Sequence, residues 1–552
     1  MMNDIIEVEK GPEPENPVSA TDKRLEELGY QPQFRRNMSL FGVLGMSFCA
    51  IGILTGMSSA FQTGLFSGGP LGLFWGWNLR SVSNNGRIIF LGVQDETRNT
   101  DARLLYGLDI HDSYDFYGDI RELEVRNSLP APVLRRSAGL VLGLESEICT
   151  MIFTGTSGNL STALYIASLA EIRSGRALTR VEIAALAWGV NILSGLINTV
   201  GTVAIGRMSA FNVWWTLAGT VVLAVTLLVK APSLNPAGFV FTDFENFSGW
   251  RSKGFVVLLG FLQAVYSLEG CETAAQVAEE AVRAEILAPL AIVFSIVGSW
   301  IVGVAYMLAL LFSVQSIPAI QQTNLALPIA QLFLDAAGSK LALLCLVVVG
   351  LAQGMAAATA FTASARLLYA LARDNAVPAA VKGPLMKLNR GQAPYIGVWT
   401  SVLIGCVISC AYIGSSIAFN AILSSAAVAV MLSYLQPIII RVFWPLSLKE
   451  RGPFTLGSWS WSINFLSFLF TVFVCVLFIL PTAHPTNAQN MNYAIVAIGG
   501  LLVITTSMWV FWGRSRFIGP VKTVLGPPNA RSAEMERRTG EQDEKSIETK
   551  KE

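Results

Sequence analysis

The sequence predicts an all-α polytopic membrane protein, and two observations carry that prediction. Of its 552 residues, 53% are hydrophobic and 14% charged, where a soluble chain carries about 25% charged residues; the mean hydropathy is +0.52. The apolar residues also come in runs of about 20, the length that crosses about 30 Å of hydrocarbon at 1.5 Å per residue. A soluble chain this long would divide into several domains, whereas these runs describe one helical bundle embedded in a lipid bilayer.

Taken in order, residues 1–38 are charged and contain proline, and residues 520–552 are polar and poor in aromatics. Both read as disordered cytosolic tails around a membrane domain at 39–519. The first residues carry Asp4, Glu7, Glu9, Glu13 and Glu15 and no early apolar stretch, so insertion is expected to be directed by the first span rather than by a secretory leader. Apolar spans are read near 39–62, 148–169, 182–204, 209–230, 255–276, 287–313, 340–370, 395–413, 416–440, 461–481 and 493–513, eleven in all.

Short loops rich in Lys and Arg stay cytosolic. Arg35 and Arg36 precede the first span; Arg366, Arg373, Lys382, Lys387 and Arg390 fall in 366–392; Arg441, Lys449 and Arg451 fall in 441–452; Arg514 and Arg516 follow the last span. The connections 314–327, 414–416 and 482–492 contain no Lys or Arg and are expected outside. This orientation requires one more crossing between the first span and 148–169. Residues 80–136 cannot supply it: they hold eight Arg and nine Asp or Glu, and their longest apolar stretch runs only from Ile88 to Val93. Either a helix is lost there, or the segment is a misread of the gene such as a retained intron.

Net charge is +1, so no nucleic-acid partner is expected. Cys49, Cys149, Cys271, Cys345, Cys406, Cys410 and Cys475 lie in apolar runs without CxxC spacing and read as small buried hydrophobes. His111 and His484 are far apart in polar segments. No metal site, cofactor site or hydrolytic triad can be argued from them, and the chain is not expected to be an enzyme.

Two spans carry unusual chemistry. The first holds Gly42, Gly45, Gly52 and Gly56 and is followed by Gly64, Gly68 and Gly69, a density that weakens a helix interior. The span from Val256 places Glu269, Gly270 and Glu272 amid apolar residues. A charge at that depth costs about 2.5–3.5 kcal/mol on the insertion scale and needs a partner, a proton or a wet cavity. Glycine-interrupted helices in two halves of a bundle are the mark of inverted-repeat transporters, whose helices break at the midplane and free backbone N–H and C=O groups for solute. A small-residue packing face accounts for Gly52 and Gly56 equally well.

The string SLEGCETAAQVAEEAVRAEILAP, from Ser267 to Pro289, resembles the sixth helix and following loop of the fungal amino-acid, GABA and choline permeases of the amino acid–polyamine–organocation superfamily. The resemblance continues in SARLLYALARDNAVP (Ser364–Pro378), in FSGGPLGLFWGW (Phe66–Trp77) and in FENFSGW (Phe244–Trp250), and covers residues 38–78 and 180–520. It implies twelve helices, with two inverted repeats of five and two extra C-terminal helices, and solute held between helices one and six. The missing crossing would then be helix two.

Carried over by that resemblance, the unwound stretches are Ile51–Met57 and Ser267–Glu272, and Glu279 and Glu280 match the family's paired acids. The chain departs from the GABA-type pattern, where Glu272 is commonly Asp and Gln276 commonly His. Solute contact is expected from Ile51, Gly52, Thr55, Gly56, Tyr266, Ser267 and Gly270, with the Tyr266 ring facing a cationic group. Glu269 and Glu272 are expected to hold an ammonium or a coupling proton; the plainer reading of Glu272 is a carboxylate bonded to a neighbouring helix. Glu279 and Glu280 are expected to pair with Arg283 or an arginine from another loop. Arg366, Arg373 and Asp374 read equally as cytosolic anchors or as gating groups. Of the acceptor triplets at Asn37, Asn159 and Asn246, only Asn246 lies where glycosylation is plausible.

These features predict a secondary transporter for an amino acid or small amine such as GABA or choline, working by alternating access and driven by protons, in the plasma or vacuolar membrane. A solute receptor that does not transport and a permease that has lost activity are the alternatives; no motif supports an ion-selective filter.

Overall fold

The computed structural model describes residues 38–78, 144–277, 280–281, 284–373, 377–443, 459–487, 491–508 and 511. The expectations for the two tails and for 80–136 fall outside them, as do Glu279, Arg283 and Asp374. Among the described residues there is no strand, and each of the eleven apolar segments contains helix.

The first segment folds as α1 (Leu40–Ile51) and α2 (Ile53–Phe66), followed by a short helix α3 over 69–78. Ser39 caps α1, its hydroxyl accepting the Gly42 N–H at 3.4 Å. The long helices α4 (Leu144–Ser174), α5 (Arg180–Val200) and α6 (Thr202–Lys230) come next. A capping box of Thr179 and Glu182 starts α5. Gly201 separates α5 from α6 at φ 130° with its Cα side against the Gly391 backbone, where a Cβ would sit 2.6 Å from a carbonyl oxygen.

After the short α7 (Ala237–Thr242), the second interrupted segment forms α8 (Lys253–Ser267) and α9 (Thr273–Gln276). Then follow α10 (Ala284–Ser313), α11 (Ile317–Gln321) and α12 (Pro328–Arg373). Gly338, at φ 73° and ψ 165°, kinks α12 and leaves its first turns outside the long straight part that begins near the expected residue 340. The remaining helices are α13 (Ala379–Leu385), α14 (Tyr395–Ser409), α15 (Ala411–Gly414), α16 (Ser416–Phe443), α17 (Ser460–Ile479) and α18 (Ala494–Met508).

Among the described residues, seven helical stretches are long and apolar enough to cross a membrane: Leu40–Phe66, Arg180–Val200, Thr202–Lys230, Ile286–Ser313, Pro328–Arg373, Tyr395–Gly414 and Ser460–Ile479. Their outer faces are apolar rather than charged. Phe211, Trp214, Val221, Val225 and Val229 on α6 are all exposed, the inverse of a soluble helix and the pattern that lipid demands. The centre is built on α4 lying along α12, with α1 against α6 and α10, α2 against α8, and α16 between α4 and α17.

Polar side chains fasten this centre. Asn159 donates to Asn191 at 2.7 Å and accepts from Ser194 at 3.2 Å, tying α4 to α5. Asn198 donates to the carbonyls of Ser194 and Ala358 at 2.9 Å and accepts from Thr362, tying α5 to α12. Buried amides that find partners across helices act as glue where lipid offers none. Asn159 is fully buried, in keeping with its position inside a span, and Asn246 is exposed.

After the first span the chain continues into α3. Trp77 there is fully buried against α10, its indole N–H 3.4 Å from the Trp300 carbonyl. The chain therefore leaves the first span by turning back into the bundle along α10 before the polar segment begins.

Candidate functional site

Gly52 is the break in the first span. It adopts the left-handed conformation, φ 56° and ψ 55°, between α1 and α2, a region open to glycine at little cost. Its carbonyl accepts the Gly56 N–H at 2.8 Å, the Thr55 N–H at 3.0 Å and the Thr55 hydroxyl at 2.6 Å. The interruption is narrower than the Ile51–Met57 stretch expected from the resemblance: helix resumes at Ile53, so Thr55 and Gly56 are helical. The Thr55 hydroxyl and a single glycine are enough to close the turn.

The second break is wider. Leu268 to Glu272 separate α8 from α9, with Gly270 at φ 107°, close to the expected Ser267–Glu272. Glu272 bridges it, one carboxylate oxygen accepting both the Gly270 N–H at 3.1 Å and the Tyr434 hydroxyl from α16. This is the plainer of its two expected readings, a carboxylate bonded to a neighbouring helix. Its other oxygen is buried with no hydrogen-bond partner.

The two breaks meet. A Cβ on Gly270 would lie 2.7 Å from the Ala50 carbonyl carbon, and one on Gly56 would lie 3.0 Å from the Ser267 Cα. Both readings of the glycines therefore hold at once: Gly52 breaks the helix and Gly56 is a packing face. Ser47 on α1 completes the junction by donating to the Cys271 carbonyl at 2.9 Å while sharing a 2.8 Å hydrogen bond with Ser295 on α10.

Around the junction lies a chamber of about 60 Å³, walled by α1, α2, α4, α8, α9, α12 and α16. Ile51, Thr55, Gly56, Tyr266, Glu269, Gly270 and Glu272 line it together with Gln353. Of the expected solute contacts, Gly52 and Ser267 are not on its wall. Tyr266 also lines a second, larger cavity of about 670 Å³, which reaches the loops bearing Gln321, Leu325, Thr482 and Asn492. Among the described residues, neither cavity has a Lys or Arg on its wall.

Toward the opposite end, two contacts join parts of the chain distant in sequence. Met38 pairs with Ala281 in an isolated parallel bridge, its N–H donating to the Glu280 carbonyl at 2.9 Å. The Arg366 guanidinium meets the Glu280 carboxylate at 2.7 Å through Nε and 2.6 Å through Nη2, with side chains 5% and 2% exposed. Glu280 thus pairs with an arginine from within α12, whereas the expected partner is Arg283 or an arginine from another loop. Arg373 is buried at the end of α12.

Gln263, Gln353, Ser47, Tyr434 and Asn198 went unremarked in the sequence. Their signal was there, since each is a polar residue inside an apolar span and so needs a partner or a cavity. What the pattern lacks is any indication of which helix faces which.

A family model for amino acid permeases matches residues 137–502, starting directly after the polar segment 80–136. The chain is 28% identical to the amino-acid permease BAT1 of Arabidopsis thaliana over 517 residues, 91% of this chain and 96% of that protein. It is 26% identical to the choline transporter of Saccharomyces cerevisiae, covering 88% of this chain and 82% of that one, and 24% identical to the GABA-specific permease of the same yeast, covering 90% and 85%. The permease family and the transporter names of these relatives make the chain an integral membrane transporter rather than an enzyme. The chain belongs to the amino acid permease family.

Proposed function

We propose that the protein carries an amino acid or small amine across its membrane by alternating access, driven by the proton gradient. The observation that carries this reading is the asymmetry about the double break: a cavity of about 670 Å³ leads to Tyr266 from one end, and the Arg366–Glu280 pair with the Met38–Ala281 bridge closes the other. By the distribution of Lys and Arg the open end faces outward and the closed end faces the cytosol. This is the arrangement of a carrier waiting for solute from outside.

In this reading Glu269 holds the solute's ammonium under the Tyr266 ring, where charge and ring face act together. The backbone at Ile51, Gly52 and Gly270 and the Thr55–Gly56 turn frame the site, with Ser267 fixing how closely α2 and α8 approach. Glu272 carries the coupled proton, and the Arg366–Glu280 pair is the inner gate with Arg373 beside it. Names of the relatives, which include an amino-acid permease, a choline transporter and a GABA-specific permease, support a nitrogenous solute.

The test is uptake of labelled amino acids, GABA and choline by cells that lack their own permeases, at pH 5 and pH 7.5. Saturable uptake of one solute, faster at pH 5, is the expected result. Binding without accumulation would overturn the transport reading in favour of a receptor, and uptake indifferent to pH would remove the proton.

A further inference from the structure

The chamber around Glu269 is smaller than the solutes it is proposed to receive. At about 60 Å³, and with about 10–15 Å³ needed per water centre, it has room for roughly four or five water-sized groups. An ammonium and its first carbons fill it. The remainder of an amino acid must lie beyond Tyr266, in the larger cavity that this ring also lines.

On that side the wall carries two side chains with unused hydrogen-bonding capacity. Gln263 is 1% exposed, and neither its amide nitrogen nor its amide oxygen has a hydrogen-bond partner; the Ser59 hydroxyl, also buried, has the Tyr165 hydroxyl beside it and keeps further hydrogen-bonding capacity. Both residues line the larger cavity. A buried amide left unsatisfied at both ends is rare and requires a physical account. Gln263 stands one turn before Tyr266 on α8, and Ser59 one turn after Thr55 on α2. Gln263 and Glu269 are six positions apart; the four positions from Gln263 to Ser267 lie on α8, about 6 Å along its axis, and Glu269 follows in the break.

We propose that Gln263 and Ser59 read the far end of the solute, so that the protein selects two-ended amines. Such a solute has a protonated nitrogen at Glu269 joined through several carbons to a hydrogen-bonding group, carboxylate or amide, at Gln263. The carboxamide suits this task because it donates and accepts without adding a charge. The inference rests on the reading that Glu269 holds the ammonium.

The experiment uses the purified full chain in lipid nanodiscs and measures thermal stabilisation by glycine, β-alanine, 4-aminobutyrate, 5-aminopentanoate, 6-aminohexanoate and n-butylamine. Expected is an apparent Kd at least about tenfold lower for the best of the longer acids than for glycine. Gln263→Leu should erase that gain and leave n-butylamine unchanged; Ser59→Ala, a smaller change that keeps the packing, should reduce it in the same selective way. Glycine binding as tightly as the longer acids, or both variants weakening n-butylamine equally, would overturn the proposal. Should no amine bind, or should Glu269→Gln leave n-butylamine binding intact, the ammonium reading itself falls and takes this one with it.

Discussion

Removing the Arg366 side chain tests the proposed inner gate most directly. In Arg366→Ala, Glu280 keeps its charge at 2% exposure without the guanidinium that now lies 2.6–2.7 Å from it. Breaking a buried pair by deleting one partner costs about 3–5 kcal/mol. The cost falls only on the state in which the inner end is shut, because opening lets water reach the carboxylate. At about 1.4 kcal/mol per tenfold, the balance between shut and open should move about a hundred- to several-thousand-fold toward open. Cys271 reports the change. It lies in the second break, 2% exposed, and would be the sole cysteine in a background where the other six are serine. Inside-out vesicles treated with a charged, impermeant maleimide should label it at least tenfold faster in Arg366→Ala than in the parent, and the exchanged pair Arg366→Glu with Glu280→Arg should restore part of the protection. Unchanged labelling in a variant that melts at the parental temperature would show that the pair is only an anchor at the membrane surface.

Three further outcomes follow from the geometry. Gly270→Ala should abolish uptake, because its φ of 107° disfavours a Cβ by about 1–2 kcal/mol and that Cβ would meet the Ala50 carbonyl carbon at 2.7 Å; normal uptake kinetics would show that the breaks need not touch. Glu269→Gln should raise the KM for an amine-bearing solute at least tenfold, whereas Glu272→Gln should leave KM near the parental value and flatten the dependence of uptake on external pH; the opposite assignment of effects would exchange the two roles. Asn198→Ala should lower stability by about 0.5–1.5 kcal/mol, since it removes the hydrogen bonds between α5 and α12 while the Thr362 hydroxyl and the Ala358 carbonyl keep their 3.1 Å bond to each other, with a lower melting temperature and an unaltered KM as the readout.

Much of this architecture is legible in the sequence because lipid imposes a simple rule: an apolar run of sufficient length becomes a helix with its backbone satisfied internally. Among the described residues each of the eleven runs contains helix, and seven helical stretches are long and apolar enough to cross. The breaks are legible for a related reason, since Gly52 and Gly270 sit where a helix would otherwise be uninterrupted, and both adopt positive φ. The extent of the first break is not legible. Sequence shows that a helix is weakened near Gly52 but not that the Thr55 hydroxyl closes on the Gly52 carbonyl at 2.6 Å and restarts the helix one residue later. Glu272 is a parallel case: a carboxylate at depth announces a partner without naming it, and Tyr434 lies 162 positions further along the chain.

The four motifs behind the family resemblance acquire a common physical purpose once they are seen in space. FSGGPLGLFWGW and FENFSGW meet at the open end, where Ser67 bridges Asn246, the Phe247 N–H donates to the Phe66 carbonyl at 3.0 Å and Gly68 donates to Glu245 at 3.0 Å. The strings around Glu280 and around Arg366 meet at the shut end through their buried pair. Each contact joins the end of a broken helix to a different part of the chain: the outer one ties the end of α2 to the loop leading into α8, the inner one ties the chain after α9 to α12. In the proposed alternating-access cycle the half-helices α1 and α9 would move about Gly52 and Gly270 to exchange which end is closed, while α4, α5 and α12 stay bonded through Asn159 and Asn198. The glycines place the freedom to turn at the two breaks, and the cross-helix amide bonds hold the scaffold together.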